Sequence, residues 1–424
     1  MIQHSRKLGG AVALGAATLV LLAGCSTTPP SDSDGTVLTL GTDEPERLEL
    51  LVPAFEDAHP GVTVEVVSSG GQGYEEFMRT RISAGTAPDV IRVFPGSGGN
   101  TMTVGQLSKI GVLADLSDAD WTDQLNDAQR SLFAGADGQI VAVPLGATGL
   151  GPVYNDRALQ EVGAEIPTTY DEVLELCATA KAAGRVAFSL GQGDLFVTQL
   201  TPYVMVASSL YGPDPEFTAR QMNGEETFVE SPWVDAFEQL LEMNSAGCFQ
   251  EGVNGTSYDE ANKLMGSGQA LGEVTFADIS SQLAAAQEGD TFTMTAFPTS
   301  DDEPYLAVAD SYGFAVNKDA KELELAKEFI AFTASAEGQN AFADQTGGVP
   351  SLPNDEFEAS SPQQEQVAAY IASGRTAIWP DQLWPSPEIQ QTLFVVVQNL
   401  FNDLDTPESA AQKMDDAFAA ALAG

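Results

Sequence analysis

From Val37 to Phe94 the chain reads VLTLG-TDEP-ERLELLVPAFEDAHPG-VTVEVV-SSGGQG-YEEFMRTRISAGTAP-DVIRVF. Residues 37–41 alternate and end in glycine, which predicts a strand. Residues 46–59 repeat Leu48, Leu51, Val52 and Phe55 at a helical period, and Pro60-Gly61 stops the helix. Alternation returns over 62–67. Residues 74–84 carry Phe77, Met78, Arg81 and Ile82 on a second helical repeat, and 89–94 form a third strand after the Gly85–Pro88 turn. Strand, helix, strand, helix, strand predicts α/β architecture with a parallel, helix-covered sheet. Ligands of such sheets sit beyond the carboxyl ends of the strands, which singles out the loops 42–46, 68–73 and 95–100.

Downstream, strands are expected at 140–144, 186–190 and 312–317. Helices are expected at 170–183, 199–211, 232–245, 259–267, 277–286 and 323–334, followed by a helical pattern from 361 onward that a Pro/Trp segment interrupts at 378–387. The Asp115–Asp127 acidic run lacks the glycine and terminal Glu of an EF-hand loop and predicts a solvated helix.

Upstream of the strand pattern, Arg6 and Lys7 precede an apolar run that ends in Leu21-Leu22-Ala23-Gly24-Cys25. Basic, apolar and small residues in that order predict a secretory signal over 1–24. The apolar run is about 16 residues, short of the roughly 20 that a spanning helix needs. Residues 26–35 hold two prolines, two acids and no side chain for a core, which predicts a tether that reaches about 30–35 Å when extended.

The roughly 400 residues that follow exceed one typical core, so two domains are the default. The full chain carries a formal charge of −43, and loss of Arg6 and Lys7 with the signal makes it more negative by two. So acidic a surface repels nucleic-acid phosphates and disfavours a polybasic membrane contact. Besides Cys25 there are two cysteines, Cys177 and Cys248; a bridge between them and two separate buried thiols both fit the sequence. His59 is the one histidine beyond the signal, there is no G-x-S-x-G, and Gly70-Gly71-Gln72-Gly73 lacks nucleotide-loop spacing. Nothing implies a cofactor, a metal or a catalytic triad.

Leu-Ala-Gly-Cys resembles a bacterial lipobox, which implies that Cys25 is lipidated and anchors the chain to the outer face of the cell membrane. Further passages resemble family 1 extracellular solute-binding proteins, the sugar-receiving components of ABC importers. They are Pro60-Gly61-Val62-Thr63-Val64, Ala84-Gly85-Thr86-Ala87-Pro88-Asp89-Val90, Val143-Pro144-Leu145 up to Val153-Tyr154-Asn155, Pro167 to Glu172, Tyr312 to Lys318, Ala326 to Phe332, and Gly347-Gly348-Val349-Pro350. The resemblance implies a two-lobe periplasmic-binding-protein-like fold of type II, with ligand held between lobes joined by three crossovers near 146–151, 308–312 and 346–352. On that basis 36–147 plus 310–348 form the N-terminal lobe and 148–309 plus 349–424 the C-terminal lobe. Gly146, Gly149 and Gly151 suit either a hinge or tight turns. The function implied is that of a monomeric, non-enzymatic receptor that hands a carbohydrate to ABC permease subunits. A secreted carbohydrate-active enzyme and a surface adhesion lipoprotein are the alternatives.

A sugar is held by flat aromatic surfaces and by planar polar side chains. Trp379 and Trp384, in the proline-interrupted segment, are the candidate platforms; Trp121 and Trp233 suit packing. Strand ends add Asp43, Glu44, Gln72, Ser97, Asn100, Gln192, Asp194, Thr275 and Phe276, and the first crossover adds Thr148. Well-studied maltodextrin-binding members carry an Asp-Arg pair after the third strand and an acid at the first crossover. Gly96-Ser97 and Thr148 stand there instead, which argues against a maltodextrin. Few cations lie in these loops, with Arg92 and Arg375 the nearest, so a neutral ligand is favoured.

Overall fold

The computed structural model describes residues 35–69, 73–279, 283, 290–298, 303–310 and 312–423. The expected signal, Cys25, the expected tether to residue 34 and Gln72 lie outside them, as does most of the helix expected at 277–286.

Eleven short strands among the described residues form two sheets. The first joins β1 (Thr36–Gly41), β2 (Val62–Val67), β3 (Val90–Val93), β4 (Ala142–Pro144) and β10 (Gly313–Val316) in the order β2-β1-β3-β10-β4. β1, β2 and β3 are parallel as expected, but β10 runs antiparallel to both β3 and β4, so the sheet is mixed. The reason is topological: β10 returns from the second sheet and enters from the opposite end. The second sheet holds β5 (Ala147–Asn155), β6 (Val186–Ser189), β7 (Ala270–Phe276), β8 (Phe292–Met294), β9 (Leu306–Asp310) and β11 (Thr376–Ala377).

Each sheet has its own apolar core, which makes two lobes. In the first, Leu38 and Leu40 of β1 and Phe314 of β10 meet Phe55 from the Leu51–Ala58 helix and Phe329 from the Leu323–Thr333 helix. In the second, Trp233, Phe237, Tyr203, Phe228 and Trp384 form an aromatic centre with mostly edge-on contacts. The Tyr170–Ala182 helix starts where the sequence marks it, with Thr169 Oγ1 accepting from the Glu172 amide. The acidic 115–127 stretch is a 3₁₀ turn and the start of the short Asp127–Leu132 helix, not one helix.

The chain leaves the first sheet at Pro144 and enters the second at Ala147; it leaves β9 at Asp310 and re-enters at Gly313. Ala147 pairs with Asp310 in β9 and exchanges two backbone hydrogen bonds with Val349, which brings the third crossover to the same point. Gly146 lies at the first crossover with φ of 77°. Gly149 and Gly151 are instead inside β5. A Cβ on Gly149 would press on Val367 and one on Gly151 would strike the Thr295 carbonyl, so both serve close packing.

Cys177 and Cys248 are bonded, tying the Tyr170–Ala182 helix to the segment after the Trp233–Ala246 helix across 71 residues. Loop-closure entropy for that span gives about 4 kcal/mol. Replacing both cysteines by alanine is expected to lower unfolding stability by up to that amount, read as a lower urea midpoint; the parent under reductant should match the variant.

Candidate functional site

The strand directions gather one end of each sheet. β1 and β3 end at Gly41 and Val93, and β10, antiparallel to β3, begins opposite Val93. In the second sheet β6 and β7 are parallel and end together, while antiparallel β5 begins there, with Leu150 opposite Phe276. The crossovers leave from these same ends, so the loops beyond them face one another across the join between lobes.

On the first lobe, Arg92 organises the loop. It is 4% exposed, its guanidinium lies over the Phe94 ring at 3.9 Å and the Tyr312 ring at 4.2 Å, and it pairs with Asp43 at 2.6 Å and Glu44 at 3.2 Å. Burial raises the Asp43 carboxyl and the neighbouring Arg92 charge opposes that shift. Glu44 also pairs with Arg47 Nε at 2.7 Å. Arg47 is in the Pro45–Leu48 turn, and its Nη2 reaches Asp278 Oδ2 of the second lobe at 3.3 Å. Asp278, two residues beyond β7, is also raised by burial and held down by Arg47.

On the second lobe, four partly buried rings run side by side. Phe196 and Tyr258 are 5.2 Å apart, Tyr258 and Phe276 6.5 Å, and Phe276 and Trp379 5.6 Å with their planes 35° apart. Trp379 Nε1 is buried without a partner among the described residues, as is Gln192 Oε1. Beneath Tyr258, its hydroxyl shares a 2.6 Å hydrogen bond with Thr275, and Asp194 Oδ2 accepts from the Tyr258 amide at 2.8 Å.

Two contacts between the lobes frame the site among the described residues. Near the crossovers, Arg47, Thr148, Asp278, Gly146, Phe342 and their neighbours enclose about 10 Å³, room for roughly one water. Farther along, the Gly96–Gly99 loop lies on the backbone of residues 381–384. A Cβ on Gly96 would fall on the Gln382 carbonyl and one on Gly98 on the Asp381 carbonyl. Ile378 and Leu383 pack against first-lobe core residues. Burial pushes the Asp381 carboxyl up to about 6. The space near the crossovers is too small for a sugar ring.

The expected residues divide by position. Asp43, Glu44, Thr148, Phe276 and Trp379 border the join between lobes. Gln192, Asp194 and Thr275 lie behind the aromatic row. Trp384 is corrected: it is fully buried, surrounded by Tyr203, Phe228 and Trp233, and has no free face for stacking. Ser97 is half-buried, with its Oγ near Gly105 of its own lobe. Asn100 turns inward too: its Oδ1 accepts from the Met102 amide and shapes the loop. Arg47, Asp278, Tyr258 and Phe196 were not anticipated. Arg47 and Asp278 each lie within a few residues of a strand end, which was the available signal.

Solved structures show the same fold. A sugar transporter from Bacillus licheniformis, in complex with stachyose, superposes with a TM-score of 0.71 at 20% identity, covering 91% of this chain and 100% of that one. A chitin oligosaccharide binding protein gives 0.76 at 20% identity, covering 91% and 99%. In sequence, the melibiose/raffinose/stachyose-binding protein of Bacillus subtilis (strain 168) is 25% identical over 415 residues, 93% of this chain and 92% of the relative. The multiple sugar-binding protein of Streptococcus mutans is 23% identical over 385 residues, 88% of each. The family model described as bacterial extracellular solute-binding protein matches residues 51–368.

One buried group behind the aromatic row yields a pH test. Glu273, 1% exposed, accepts from Ser189 at 3.2 Å through Oε2, while Oε1 has no partner among the described residues; burial holds its carboxyl well above the usual range. The folded chain therefore keeps a proton that the unfolded chain releases above its ordinary carboxylate pKa. This group's contribution to stability is full at low pH and declines as pH rises toward its folded pKa. Glu273→Gln is expected to be more stable than the parent at pH 8 by about 1–2 kcal/mol, with the gap closing toward pH 4, as read by urea unfolding. Equal stability at pH 8 would contradict a neutral Glu273.

Proposed function

Because the chain belongs to the bacterial extracellular solute-binding proteins, we propose that it binds a neutral sugar or oligosaccharide between its lobes and delivers it to the membrane subunits of an ABC importer. The observation that carries this is the pairing across the join between lobes: an aromatic row ending in Phe276 and Trp379 on one lobe, and the carboxylates of Asp43 and Glu44 on the other. Aromatic faces cover the C–H surfaces of a sugar, and carboxylates accept from its hydroxyls. Trp379 adds an indole N–H without a partner among the described residues. The arginines of the first-lobe loop are already paired with Asp43, Glu44 and Asp278, so no free guanidinium fork awaits a phosphate or carboxylate there.

Several relatives and neighbours are named for α-galactosides such as melibiose, raffinose and stachyose. Those sugars therefore head the trial panel, with chitin- and xylan-derived oligosaccharides behind them. Lipidation at Cys25 would hold the monomer on the outer face of the membrane, near its permease. The role is capture and transfer without turnover. Among the described residues no helix is long and apolar enough to cross a membrane, so the attachment in this reading rests on the lipid.

Thermal-shift titration against the panel tests the reading. A sugar at 100 times its Kd stabilises the folded chain by about 2.7 kcal/mol. Trp379→Ala and Phe276→Ala are each expected to weaken that sugar at least tenfold with a small change in the unliganded melting temperature. Trp384→Ala should instead cost about 3–5 kcal/mol of stability, as a core truncation. No shift with any sugar, or full affinity in both Trp379→Ala and Phe276→Ala, would refute the proposed site. In cells, Cys25→Ser is expected to move the protein from the membrane fraction to the medium or periplasm; unchanged fractionation would refute the lipid anchor.

A further inference from the structure

Arg47 is tied to both lobes. Its Nε is held by Glu44 at 2.7 Å within the first lobe, and its Nη2 reaches Asp278 of the second lobe at 3.3 Å. Asp278 lies two residues beyond β7 and is 8% exposed in its side chain, so its carboxylate is largely removed from water where the lobes meet. Among the described residues the other charges in this set are Glu44, Asp43 and Arg92 of the first lobe, joined as Asp43–Arg92–Glu44–Arg47–Asp278. Four of the five belong to the first lobe; Asp278 is the member that departs when the lobes separate. The chain of charges runs alongside the aromatic row without being part of it.

We propose that Arg47 is a positioning residue that couples ligand capture to lobe closure, through an ion pair with Asp278 that exists only when the lobes are together. Glu44 fixes the guanidinium on one side, so little side-chain entropy is lost when Asp278 arrives. The ligand does not touch the pair in this account; it gains affinity because closure completes it. Part of the affinity for an uncharged sugar is therefore electrostatic and responds to salt. Screening lengths fall from about 30 Å at 0.01 M to about 3 Å at 1 M. The proposal rests on the sugar-receptor reading for its ligand, but its device is testable without one.

The ligand-free test is small-angle scattering of the purified full-length chain at 0.01 M and 1 M NaCl. The parent should expand with salt, whereas Arg47→Gln and Asp278→Asn should be expanded already and show no further response. An identical, salt-independent radius of gyration in all three would overturn the latch and leave sugar binding untouched. With raffinose as first probe, or whichever panel sugar shifts the melting temperature, the parent is expected to lose about fivefold in affinity over the same salt range. Either single variant should lose about fivefold at low salt and become salt-insensitive, the double variant should lose no more than one single, and Arg47→Lys should recover part of the loss. The loss should fall on the dissociation rate. Additive single losses, or a salt response kept in Arg47→Gln, would overturn the proposal even where the sugar binds. If no sugar binds, the receptor reading fails and the scattering result still decides the latch.

Discussion

The arrangement depends on Ala147. Its backbone exchanges hydrogen bonds with Val349 and lies in register with Asp310, so all three passages of the chain between sheets meet within a few ångströms of one residue. A single crossover would leave the lobes free to twist and slide. Three bound together restrict relative movement to bending about that point. The restriction explains why loops as far apart in sequence as 42–47 and 276–278 can meet reproducibly, although no strand connects them.

Electrostatics has two scales here. The chain as a whole is strongly acidic, at −43, and that field concerns solubility more than recognition. The five charges from Asp43 to Asp278 are a local matter: two arginines are paired with three carboxylates, partly withdrawn from water. Arg92, stacked against Phe94 and Tyr312, is structural in effect, because it holds two acceptors at the end of β1 in fixed positions. Rigid acceptors lose little freedom when a ligand arrives, so the order is established before the encounter.

Much of the backbone was legible in the sequence. Alternation gave β2 over the observed residues and β1 to within one residue, and the strands expected at 89–94 and 186–190 match β3 and β6 to within about one residue at each end. The direction of β10 was not legible, because it depends on the chain having visited another sheet first. Trp379 and Trp384 look alike in sequence: each precedes a proline and lies in an irregular segment. Their difference comes from a four-residue turn, Pro380–Leu383, that places Trp384 in the core and leaves Trp379 at its edge. The Arg47–Asp278 contact spans 231 residues and has no local pattern to announce it. Gly149 and Gly151 suited a hinge or a tight turn equally by composition, and only their neighbours reveal them as packing positions.

The loop Gly96–Gly99 meets residues 381–384 mostly through main-chain atoms, with glycine at three of its four positions. A contact made of backbone is the same whatever side chains surround it. The surface that lets the lobes seat together is thus separate from the rings and carboxylates that would read the ligand. Specificity can be altered at Phe276, Trp379 or Asp43 without redrawing the seat, whereas any side chain added at Gly96 or Gly98 alters the seat for every ligand alike. The fold in this way divides its sequence into positions open to retuning and positions that are not.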